Sequence, residues 1–84
     1  MPDIAKEQVH LEKADADIRA GEARVAQQRL LIEELRRDGH DARDAERLLW
    51  TMQQSLKAWG AHREVIRQML ADAKERAGER PTGG

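Results

Sequence analysis

The chain contains no cysteine, no phenylalanine and no tyrosine. Without cysteine there is no disulfide framework and no thiolate metal site, and a reducing compartment is the natural setting. With aromatic residues at 2%, a core must be assembled from aliphatic side chains and is expected to be thin. Charge of one sign is also missing. A formal net charge of −1 supplies no strong field for nucleic acid or anionic lipid. The longest apolar runs, Leu30-Leu31-Ile32 and Leu48-Leu49-Trp50, fall far short of a membrane span. Met1-Pro2-Asp3-Ile4-Ala5-Lys6-Glu7 has no signal-peptide character, so a cytoplasmic location with no membrane partner is expected.

Groups that do chemistry are scarce. Ser55, Thr51 and Thr82 are the only hydroxyl side chains, and no histidine lies one turn from Ser55 to make a catalytic dyad. His10, His40 and His62 fall in different turns of different elements, with no histidine pair at helical ligand spacing. Asp15 and Asp17, two residues apart, point to different helix faces. The segment from Asp38 to Asp44 lacks the alternating oxygen ligands and final Glu of a calcium loop, and no Gly-rich phosphate loop is present. The sequence therefore predicts no metal, no cofactor, no catalytic residue and no enzymatic activity.

What the chain has is helix. In 84 residues, enough for one domain, 37% are charged, and Ala, Glu, Arg and Leu dominate. That composition favours long helices over sheet. The organising stretch is Arg36-Arg37-Asp38-Gly39-His40-Asp41-Ala42-Arg43-Asp44. Gly39 follows a run of helix formers and can adopt the left-handed conformation that closes a helix. Arg36 and Arg37 suit the negative end of the dipole. Asp41 has the chemistry of an N-cap for a second helix, with Asp44 placed for a back-bond to its amide. His40 reads as a solvated turn residue. The expected layout is a helix over 3–38, a turn at 39–41, a helix over 42–77 and a disordered tail at 78–84. Asp3 or Pro2 opens the first helix.

Both helices carry heptads. Ile4, Leu11, Ile18, Val25 and Ile32 recur at seven-residue spacing, with Glu7, Ala14, Gly21, Gln28 and Leu35 as companions. In the second helix Leu49, Leu56, Arg63, Leu70 and Ala77 form one stripe, and Ala45, Met52, Trp59, Ile66 and Ala73 the other. A short link makes the helices antiparallel neighbours with a coiled-coil-like seam. Folding at the turn sets residues whose numbers add to about 80 opposite one another. Ile32 then faces Leu49, Val25 faces Leu56, Leu11 faces Leu70, Ala14 faces Ile66, and Gly21 faces Trp59 and Gly60. Gly21 is expected to make room for the Trp59 ring. Arg63, the odd residue in its stripe, is expected to snorkel to Asp17 or Glu22. Asp17 opposite His62 suggests a surface ion pair.

One seam leaves two exposed backs, which is little core for the chain ordered. Leu31 and Leu48 flank the seam on one side, which Met69 continues, while Leu30 and Trp50 point away from it. The expectation is an all-α hairpin that pairs into a homodimeric four-helix bundle and works by binding protein. Leu30, Leu31, Leu48 and Trp50 are the interface candidates, and Trp50 is the expected hot spot for a partner whose identity the sequence does not give. The alternative is a small nucleic-acid-associated regulator using Arg36, Arg37, Arg43 and Arg47. Interleaved Glu33, Glu34, Asp38, Asp41, Asp44 and Glu46 argue against it, because phosphate binding needs uncancelled positive charge.

Four segments resemble a group of short bacterial helical proteins without an assigned activity. They are Gly21-Glu22 through Gln28-Arg29, the turn Asp38-Gly39-His40-Asp41, Ala45-Glu46-Arg47-Leu48-Leu49, and Ser55-Leu56 with His62-Arg63. The turn followed by Ala-Glu and two leucines is the most specific part, and the likeness spans about residues 10–70. What the resemblance implies is a small, cytosolic, helical protein, with no catalytic residue or ligand to carry over.

Overall fold

The computed structural model describes residues 3–78. They form two helices, α1 (Ile4–Arg37) and α2 (Arg43–Gly78), packed as a hairpin, with no strand among the described residues. The hairpin is long and narrow, with extents of 73 × 15 × 14 Å. Both helices keep the expected bounds to within a residue or so. Gly78 is the last residue of α2, and the rest of the expected tail, 79–84, lies outside the described residues, as does Pro2.

Each helix end is closed by the residues that the sequence offers for it. The Asp3 carboxylate accepts the Lys6 amide at 3.3 Å, and the Asp3 carbonyl accepts the Glu7 amide at 3.0 Å. Asp3 is thus a true N-cap. At the other end of α1, Gly39 has φ +74°. The Gly39 amide donates to the Arg36 carbonyl at 3.1 Å, and the His40 amide donates to the Leu35 carbonyl at 2.8 Å. This crossed pair is a Schellman closure, which satisfies two carbonyls that the helix leaves without partners. At the start of α2 the Ala42 carbonyl accepts the Glu46 amide at 2.8 Å, so the N-cap position falls one residue later than expected, and the Asp41 carboxylate accepts the Arg43 amide at 2.9 Å in an Asx turn just before it. The expected back-bond from Asp44 is absent, because Asp44 binds Arg47 at 2.7 Å instead. Asp is one carbon too short to make the reach of a capping Glu easy.

The seam follows the heptads. On α1 the five residues of the bulky stripe and their five companions are all buried or half-buried. On α2 both stripes are at least half-buried except Trp59 and Ala77. Ala77 belongs to the last turn of α2, beyond the reach of the seam. Val25, Ile32, Ala42, Ile66 and Leu70 are the buried apolar residues, yet no side chain is fully enclosed. Two rods touch along one line, so every seam residue keeps an open side.

The register is tighter than the simple fold-over places it. A Cβ on Gly21 would sit 2.6 Å from Cδ2 of Leu56 and 3.2 Å from Cζ3 of Trp59. Gly21 therefore faces Leu56 first and Trp59 second. Gly60 does not share this site, since a Cβ there meets nothing within 4 Å. The expected contact of Gly21 with Gly60 is thereby corrected. Trp59 lays one edge over Gly21 and stays 41% exposed. Arg63 does snorkel, but it pairs with Asp15 rather than Asp17 or Glu22. The guanidinium leaves the seam on the side where Asp15 lies.

Candidate interaction surface

Each residue just before the bulky stripe of its helix lies on one flank of the seam, since it trails its neighbour by about 100°. On α1 these are His10, Asp17, Arg24 and Leu31; on α2 they are Leu48, Ser55, His62 and Met69. The grooves bear this out. Arg24, Thr51 and Ser55 share one with Gly21 and Trp59. Nearer the open end, Ala14, Asp17, His62, Val65 and Met69 share a larger one of about 500 Å³. Leu31, Leu48, Val65 and Met69 are all exposed large hydrophobics. This flank, called the apolar flank for these exposed side chains, also carries His10, Asp17, Arg24 and His62.

The opposite flank is charged. Glu22, Arg29 and Gln53 line its groove beside Val25 and Leu56. Arg36 binds Glu46 across the helices here, and Arg63 binds Asp15. These are the two ion pairs that join α1 to α2 among the described residues; the other five lie within a helix or the turn. Ion pairs between the helices thus close one side of the seam, while the other carries exposed apolar side chains beside polar ones that form no bond across the helices among the described residues.

The candidate residues are distributed over more than one face. Leu31 and Leu48 sit on the apolar flank. Leu30 is 58% exposed and Trp50 63% exposed. Leu30 lies about 100° from Leu31, and Trp50 about 200° from Leu48, so the four do not form one patch. In the turn, Asp38, Gly39, His40 and Asp41 are all exposed and serve as helix closures. Asp41 takes both oxygens to the Arg43 guanidinium, at 2.8 to 3.2 Å. The side-chain bonds from Arg43, followed by its backbone amide, hold the Asp41 carboxyl below the usual aspartate value, and the same bonds push the Arg43 guanidinium up. Of the turn arginines, Arg36, Arg43 and Arg47 are each bound to a carboxylate.

The ion pair expected between Asp17 and His62 is not formed. Asp17 instead accepts from Lys13 at 3.2 Å, and His10 lies 3.7 Å from Glu7. Among the described residues no three His, Asp or Glu side chains gather as a metal site, and no helix is long and apolar enough to cross a membrane.

One residue escaped sequence reasoning. Gln28 is buried, and its amide donates to the Ala45 carbonyl at 2.9 Å. This bond ties the middle of α1 to the first turn of α2. The available signal was its position, a polar residue in the seam stripe between Gly21 and Leu35, which demands a partner once buried. No protein-family model, curated protein or solved structure matches the chain, so the resemblance carried by the turn and its neighbours rests on those residues alone.

Proposed function

We propose that this hairpin is a non-catalytic, cytoplasmic protein-interaction module whose first partner is a second copy of itself. One observation carries the reading. Val9, Leu30, Leu31, Leu48, Trp50, Trp59, Val65 and Met69 are exposed, whereas the buried apolar set is only Val25, Ile32, Ala42, Ile66 and Leu70. Among the described residues eight large apolar side chains are exposed against four that are buried, and the seven others in the seam are only half covered, which leaves apolar surface available for contact. Pairing two hairpins into a four-helix bundle encloses seam residues that a single hairpin leaves half open. Three of the four arginines near the turn, Arg36, Arg43 and Arg47, are held by carboxylates, which favours this reading over phosphate binding because a guanidinium so held brings little net attraction.

Sedimentation velocity across the micromolar range tests it. The expected result is a species of twice the chain mass that dissociates on dilution. A monomer at every concentration would remove self-association from the reading. Trp50 lies away from the apolar flank and is assigned to a different protein partner. Trp50→Ala should therefore leave both helicity and dimer mass unchanged.

A further inference from the structure

The two ends of the apolar flank differ in shape. At the turn end Leu31 and Leu48 form an exposed leucine ridge, 43% and 51% exposed, and Met69 and Val65 beside the groove at the other end are exposed to a similar degree. At the open end the same flank holds the groove of about 500 Å³, where Ala14, Val65, Ile66 and Met69 are joined by the ionisable side chains of Glu7, His10, Lys13, Asp17 and His62. Arg24 lies between them, on the turn side of the midpoint, and Asp17 lines the groove itself. A leucine ridge, a cation and a hollow that carries an anion thus follow one another along one face.

That order is self-complementary under one two-fold operation. Resting on the self-association reading above, we propose that two copies dock through this flank head to tail. The Leu31–Leu48 ridge of each fills the Val65–Met69 groove of the other, and Arg24 of each meets Asp17 of the second copy. An isologous contact of this kind buries every feature twice. The competing two-fold sets turn against turn. It stacks ridge on ridge and hollow on hollow, and brings the two Arg24 side chains into one layer. The head-to-tail face measures roughly 40 Å by 20 Å, from helix rise and diameter, on the order of 800 Å² per copy. That equals the area per partner of a standard stable interface, about 800 Å². Asp17 already holds Lys13 through one oxygen, so the incoming Arg24 completes a three-charge network.

The absence of native cysteine makes the geometry directly readable. Leu48→Cys and Met69→Cys are made separately, at exposed sites where folding is undisturbed, and helicity is checked by circular dichroism. Mixed and mildly oxidised, they should yield a covalent heterodimer, since a disulfide needs Cα atoms within about 7 Å. Neither variant alone should crosslink efficiently. A mixture of Leu31→Cys with Leu48→Cys should also stay uncoupled. Arg24→Asp and Asp17→Arg should each weaken dimerisation about tenfold, and the double variant should restore it. If Leu31→Cys couples to Leu48→Cys instead, the head-to-tail geometry is overturned while self-association stands. A dimer in which neither mixture couples uses another face, which also overturns the proposal. A monomer in every experiment overturns self-association itself.

Discussion

Toward the turn, α1 and α2 are tied by several kinds of contact at once. The Schellman closure at Gly39 sets the exit of α1, and the Asx turn of Asp41 with Arg43 sets the entry of α2. Gln28 bonds to the Ala45 carbonyl, and Arg36 to Glu46. Val25, Gln28, Ile32 and Ala42 are buried. Toward the open end the inventory is shorter. Ile66 and Leu70 of α2 are buried while Ile4, Leu11, Ala14 and Ile18 of α1 are half covered, just as Ala45, Leu49, Met52 and Leu56 of α2 are near the turn, so it is the polar ties that thin out. Arg63 with Asp15 is the one polar tie there among the described residues. The reason is distance along the chain. Near the turn, contacts close short loops and cost little entropy, while each layer further out adds only its own burial. The open half therefore frays first, and it is also the half that carries the groove. In the proposed dimer, the well-tied half of each copy braces the loosely tied half of the other.

The largest effects should come from testing that asymmetry in the seam itself. Ile32→Ala is expected to cost about 2–5 kcal/mol, the range for truncating a buried Ile. Because Ile32 belongs to the half that holds the hairpin closed, amide protection should fall along both helices. Ile66→Ala removes an equally buried side chain from the other half. Its cost should lie near the low end of that range, and lost protection should stay between the Gly21 level and the open end. Equal costs with equal spread in hydrogen exchange would erase the distinction between the halves.

The two interior glycines sharpen the boundary, and they should respond in opposite directions. Gly21→Leu drives a branched side chain into Leu56 and Trp59, and overpacking of this kind costs about 1–3 kcal/mol. Gly60→Ala adds a methyl where nothing lies within 4 Å, so it should gain the helix propensity difference, about 1 kcal/mol. For a domain this small, each kcal/mol moves the melting temperature by about 4–8 °C. Thermal melts of the two variants should therefore bracket the parent. A destabilised Gly60→Ala would mean that its surroundings are closed in the assembled protein.

How much of this could be read from the chain depends on the range of the signal. The heptad stripes, the Asp3 cap and the Gly39 closure are local patterns, and each stands where the sequence places it. Register is a different matter. Heptads repeat, so sliding one helix along the other by part of a turn leaves oil facing oil. What fixes it here are polar and steric details, namely Gly21 under Leu56, Gln28 on the Ala45 carbonyl and Arg63 on Asp15. Long side chains such as Gln and Arg reach several positions from one Cα, so spacing alone names a set of partners. The interface candidates show the same limit. Exposure of Leu30, Leu31, Leu48 and Trp50 followed from their heptad positions, whereas the groove beside Val65 and Met69 exists only once both helices are in register.

The smallest effect concerns the turn and acid. The Asp41 carboxyl is held below the usual aspartate value, first by its side-chain bonds with Arg43, then by the Arg43 amide, with the charge of Arg47 adding to both and slight burial opposing them. A carboxyl whose folded pKa is depressed stabilises the fold above its unfolded pKa, about 3.9 for aspartate. That contribution is lost as pH falls from there through the lower folded value. Acid should therefore loosen the half of the hairpin that is otherwise better tied, beginning with the first turn of α2. Asp41→Asn retains a side chain that caps helices well but removes the titrating charge. Its stability below about pH 4 should fall less steeply with pH than that of the parent. Amide exchange at Arg43, Asp44 and Ala45 measured across that range reports it directly. An acid limb of the same slope in both proteins would mean that the Asp41–Arg43 pair adds nothing to the turn, and that the strength of this half comes from Gln28 and the buried Ile32 instead.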